Sequence, residues 1–139
     1  MAQNEIFLPM GALAFWTFVV LTLIPVRRFR AAFAGKVTPK DFAYGESARV
    51  PGEVAIPNRN YMNLLEMPML FYVVCLMFFV TGWVDDWALG LAWLFVGLRI
   101  VHSAIHLTYN NVRHRLIPFA VGNLVVIALW GLFFVRMYG

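Results

Sequence analysis

Residues 7–26 read FLPMGALAFWTFVVLTLIPV, an apolar stretch without a single charge. At 1.5 Å per residue, a helix of that length covers roughly the 30 Å hydrocarbon core of a bilayer. The whole chain agrees with this reading: 62% of its 139 residues are hydrophobic, 13% are charged, and the mean hydropathy is +0.74. Water-soluble domains hold about 45–50% apolar and about 25% charged residues. Composition therefore excludes a soluble enzyme and calls for an integral membrane protein. The leader carries Glu5 and no basic residue, whereas Arg27, Arg28 and Arg30 follow the run. That order predicts an uncleaved first span held by positive charge rather than a signal peptide.

Three more apolar runs lie downstream. One covers about residues 61–84 and contains a single acid, Glu66. The next, 87–109, contains Arg99, His102 and His106, and the last, 116–135, has no charge. The expected fold is an all-α membrane protein, a four-transmembrane-helix bundle forming one domain over residues 1–139. Of the 11 Lys and Arg residues, Arg27, Arg28, Arg30, Lys36, Lys40, Arg49 and Arg59 fall in or beside the first connection, and Arg113 and Arg115 in the third. Asp85 and Asp86 alone separate the second and third runs, with Trp83 and Trp87 at their flanks as interfacial aromatics. The positive-inside rule then places both basic loops in the cytoplasm and both termini on the opposite side. Basic residues that flank spans in this way orient a chain, so no nucleic-acid partner is expected. The single cysteine, Cys75, permits neither an internal disulfide nor a multi-Cys metal site and is expected to be a small buried hydrophobe.

Polar residues inside the spans carry the case for function, because ionisable groups at depth are costly and generally face a bundle interior or a site. On the second span Arg59, Asn63 and Glu66 follow i, i+4, i+7 and share one helix face. On the third, Arg99, His102, His106, Tyr109 and Arg113 form what reads as one continuous stripe. Counted inward from the basic side, Glu66 and His102 both lie roughly 10 Å deep, with Arg99 about one turn deeper. A buried Arg99 needs an acceptor, and Glu66 is the one carboxylate within the spans, so a structural Glu66–Arg99 ion pair is expected.

The second span, RNYMNLLEMPMLF (59–71), and the third with its connection, RIVHSAIHLTYNNVRHR (99–115), resemble signatures of one family. This is the MAPEG family, the membrane-associated proteins in eicosanoid and glutathione metabolism, here in a bacterial-type form. Arg59, Asn63, Glu66 and Pro68 match its second-helix pattern, and Arg99, His102 and Arg115 its third-helix pattern. The resemblance implies a homotrimer of four-helix bundles that binds glutathione as co-substrate between subunits near the cytoplasmic face. A lipophilic small molecule would enter from the membrane lipids. Arg59, Asn63, Glu66, His102, His106, Tyr109 and Arg113 are the expected glutathione-binding residues. Arg115 is the expected catalytic one, because a thiol of pKa about 8.5 becomes about a hundredfold more acidic with roughly 2.7 kcal/mol of preferential thiolate stabilisation. This chain departs from glutathione-using members at two places: Met62 stands where a second Arg is common, and His106 where a Tyr is usual.

Several function classes stay open on the residues. A glutathione-dependent transferase or peroxidase acting on lipophilic electrophiles leads. The alternative is a non-catalytic lipid- or ligand-binding member of the same fold. His102 and His106 at i, i+4, with Glu66 as a third ligand, would suit a metal or haem protein, although no metal is the expected entry to the chemistry. A channel or transporter along an oligomer axis is the remaining class.

Overall fold

The computed structural model describes residues 1–139. It is all-α, and its five helices make four segments long and apolar enough to cross a membrane. Helix α1 is Phe7–Phe33, preceded by a 3-10 turn at Gln3–Ile6. Helices α2 (Gly52–Leu65) and α3 (Met67–Thr81) together form the second crossing; α4 is Asp86–Leu107 and α5 is Val112–Tyr138.

Three boundaries differ from the hydropathy reading, each for a local reason. The first helix runs past Val26 through Arg27, Arg28 and Arg30 to Phe33, because these residues are good helix formers once water rather than lipid surrounds them. The second crossing begins at Gly52 rather than at residue 61, so the long connection shrinks to residues 34–51. It is broken at Glu66, whose ψ of −92° leaves the helical region. Pro68 explains the break: it has no N–H for the carbonyl four residues back, and its ring crowds that carbonyl. The fourth crossing, α5, starts at Val112 because the Asn111 side chain caps it, accepting from the N–H groups of Arg113 (3.0 Å) and His114 (3.2 Å).

The core is a file of apolar side chains shared by all four crossings. Phe71 packs on Phe95 (centroids 4.7 Å apart) and Phe78 meets Phe133 edge to face at 5.5 Å. Leu13, Val20, Val126 and Leu129 fill the space between, with Cys75 fully buried among them. Small residues let helices approach: Gly122 of α5 lies against the Phe95 ring.

The two ends of the bundle are stapled by different means. At the end distant from the basic loops, Gly82 (φ +72°) closes α3 in the left-handed conformation that glycine adopts without penalty. Val84 exchanges two hydrogen bonds with the Gln3 amide, at 2.8 and 3.0 Å. Asp85 caps α4 by accepting from Ala88 N–H (2.9 Å) and is paired with Arg136 of α5. At the basic end Arg27 donates to the carbonyls of Glu53 (2.9 Å) and Leu107 (3.4 Å), tying α1 to α2 and to the end of α4. The connecting loop is organised around Asp41. The backbone N–H of Thr38 and the Ser47 hydroxyl hold its carboxyl below the usual carboxylate range.

Candidate functional site

Helix α2 turns two polar faces in different directions. Asn60 and Leu64 point into the bundle and are buried, whereas Arg59, Met62 and Glu66 are exposed and Asn63 is half-buried. Arg59 and Asn63 lie on α2 and Glu66 at the break that ends it, and in a single chain none of the three is buried. Nothing in the chain hydrogen-bonds to any of the three side chains. Polar groups on an otherwise apolar crossing are generally covered by protein or by a ligand rather than by hydrocarbon.

Helix α4 turns its polar residues inward, and they divide between two neighbours. Toward α5, Arg99 donates to Asn123 Oδ1 at 2.8 Å and lies over the rings of Phe119 (4.9 Å) and Phe95 (5.3 Å). The expected Glu66–Arg99 ion pair is therefore not formed. The two residues differ in direction, since Glu66 is exposed while Arg99, 1% exposed, faces α5. Asn123 and the two aromatic faces take the place of the carboxylate. His102 also faces α5. Its Nδ1 contacts the Arg115 carbonyl oxygen at 2.9 Å, and because a carbonyl can only accept, that nitrogen carries the proton. Its Nε2 is sealed inside the protein without a partner.

Toward α2, Ser103 and His106 meet Asn60. The Ser103 hydroxyl donates to Asn60 Oδ1, and Asn60 Nδ2 lies 3.1 Å from His106 Nδ1. All three side chains are buried. Neither Asn60 nor Ser103 stands out by spacing, because each sits one position off a conspicuous stripe. The available signal was the pair itself: two small polar residues on the inward faces of facing apolar helices require each other.

The stripe expected to run unbroken from Arg99 to Arg113 is interrupted. Helix α4 stops at Leu107, Asn110 takes a positive φ of 49°, and the chain turns into α5. Tyr109 is consequently exposed in the turn, its hydroxyl 3.2 Å from His114 Nδ1, and Arg113 is exposed on the first turn of α5. Arg115 is half-buried and donates to Asn110 Oδ1 at 2.8 Å. The result is a cationic shoulder at the basic end of the bundle. Arg59 adjoins Asn60, which contacts His106, and the Arg115 carbonyl holds His102, whose ring centroid is 5.9 Å from that of His106; the His106 Nε2 has no hydrogen-bond partner and is not sealed. Such an arrangement suits an anionic ligand with several hydrogen-bonding groups.

The model of the MAPEG family matches residues 6–135, nearly the whole chain. No curated protein and no solved structure gives a significant match.

Proposed function

The chain belongs to the MAPEG family, a membrane protein of the glutathione and eicosanoid type, and from that premise we propose that it is a glutathione-dependent transferase or peroxidase acting on lipophilic electrophiles. The observation that carries the reading is the uncovered polar face of α2. Arg59, Asn63 and Glu66 lie on the second crossing without partners, on the helix whose Asn60 contacts His106, and Arg115 is half-buried at the same basic end. Glutathione matches that set: Arg59 takes a carboxylate, Glu66 takes the ammonium, and Asn63 takes peptide groups. A second copy of the chain covers the rest of the face, and a homotrimer encloses three such sites. Arg115 stabilises the thiolate, and the lipophilic partner arrives through the bilayer. The basic loops, and with them the site, lie in the cytoplasm.

The test is the purified protein in a native-like bilayer. Glutathione at millimolar concentration is expected to bind and to produce thiolate absorbance near ~240 nm, and a model electrophile is expected to be conjugated. Chemical crosslinking is expected to trap dimers and trimers. Absence of both binding and turnover overturns the reading; binding without turnover leaves a non-catalytic ligand-binding member of the family.

A further inference from the structure

We infer that Asn60 and Ser103 fix His106 as the Nε2–H tautomer, which makes its open nitrogen a hydrogen-bond donor to an anionic ligand held beside Arg59 and Arg115. The ligand half of this statement rests on the glutathione reading above; the tautomer half does not.

The protons of the buried triad can be counted from its contacts. Ser103 Oγ makes one side-chain hydrogen bond, to Asn60 Oδ1, and the site is fully buried. With Oδ1 accepting from the hydroxyl, the other end of the amide, Nδ2, faces His106 Nδ1 at 3.1 Å. An amide nitrogen donates and cannot accept, so His106 Nδ1 must offer a bare lone pair. A neutral imidazole carries one proton, which is then on Nε2. Turning the amide over would put Oδ1 against His106 Nδ1 and Nδ2 against Ser103, sending the hydroxyl proton back to a carbonyl of its own helix, as in Thr108, and the imidazole proton to Nδ1. The arrangement in the structure keeps the Ser103 proton on Asn60 Oδ1 and the Nδ1 lone pair of His106 on Asn60 Nδ2.

The neighbouring histidine shows the opposite choice. His102 gives its Nδ1 proton to the Arg115 carbonyl, and its Nε2 is sealed inside the bundle. His106, one turn on, keeps Nδ1 for Asn60 while its Nε2 has no partner and is not sealed. Of these two buried histidines only His106 therefore has a nitrogen available to a ligand, and the triad decides that this nitrogen donates. A donor beside two guanidinium groups selects for anions and carbonyl acceptors and against cationic ligands. Asn60 and Ser103 are positioning residues in this scheme, since neither reaches the surface.

The experiment is nitrogen-15 NMR of the full-length protein, labelled at its 3 histidines, in bilayers at about pH 8, where unperturbed imidazoles are neutral. The His106 signal is identified by its loss in His106→Gln. The expected spectrum has His106 protonated on Nε2 and His102 on Nδ1, before any glutathione is added. In Asn60→Leu the His106 signal is expected to split between both tautomers, and glutathione affinity to fall by about three- to tenfold. Adding glutathione to the wild type is expected to shift the Nε2 resonance and leave His102 unmoved. A wild-type spectrum with His106 protonated on Nδ1 overturns the inference whatever glutathione does, and needs no variant to fold. An Nε2–H signal that glutathione at millimolar concentration does not move overturns the ligand half. If binding itself is then absent, the proposed function fails with it.

Discussion

At the residue scale, two charged side chains have opposite surroundings and should respond differently to substitution. Arg115 is half-buried with one partner, Asn110, so its removal leaves little behind that must be resatisfied. Arg115→Leu is expected to keep glutathione binding within several-fold while slowing conjugation of a model electrophile by one to two orders of magnitude. That is a loss of about 1.4–2.8 kcal/mol of thiolate stabilisation. An equal loss in binding and in rate would assign Arg115 to holding rather than activation. Arg99 is sealed against Asn123, Phe95 and Phe119. A double-mutant cycle of Arg99→Met with Asn123→Leu should return a coupling of roughly 0.5–3 kcal/mol, whereas Arg99→Met with Glu66→Gln should add within about 0.5 kcal/mol. Unfolding of the detergent-solubilised protein reads both. Strong coupling to Glu66 would mean that the two side chains meet after all in the assembled membrane protein.

At the element scale, the end remote from the basic loops is closed by the Asp85–Arg136 latch between the α3–α4 turn and α5. Partial burial pushes the Asp85 carboxyl up, but the Ala88 N–H and Arg136 outweigh it, and the group sits below the usual carboxylate range. A carboxyl depressed by folding adds stability that is present above its unfolded pKa, about 3.9, and is lost as pH falls from there through the lower folded value. The melting temperature of the wild type is therefore expected to fall more steeply than that of Asp85→Asn as pH drops below about 4. Parallel curves for the two proteins would show that the latch contributes nothing through this charge. The same end depends on Gly82, whose φ of +72° closes α3. Gly82→Ala is expected to cost roughly 1 kcal/mol of stability by urea or thermal unfolding, because a side chain is strained in the left-handed region. An unchanged or higher stability would show that the turn relaxes around the new residue.

At the scale of the whole molecule, charge is segregated along the bundle axis. Nine of the 11 Lys and Arg residues lie in or beside the α1–α2 connection and the α4–α5 turn, and the opposite end holds Arg136, already paired with Asp85. With this bias, reporter fusions at either terminus are expected to be active on the non-cytoplasmic side. A C-terminal fusion active only in the cytoplasm would invert the molecule and move the α2 face with it. The outer surface is otherwise apolar, with Phe15, Phe18, Leu124 and Ile127 strongly exposed, as a lipid-facing or subunit-facing wall requires.

The number of crossings and their order were legible in the sequence, because burial in lipid demands long apolar runs. The break at Glu66 was within reach of the sequence too, since Pro68 two residues on denies the helix a hydrogen bond whatever surrounds it. What lies across from a residue obeys no such local rule. Glu66 and Arg99 have opposite charge on crossings that pack together, yet helix rotation turns one outward and the other onto α5. The stripe from Arg99 to Arg113 breaks at Asn110 because a helix end is decided by capping and by the reversal needed to pack α5. Asn60 and Ser103 carry no signal of their own in the sequence. They become a unit only where α2 and α4 pack, because a buried hydrogen bond between helices depends on their relative rotation and register, which only tertiary packing sets.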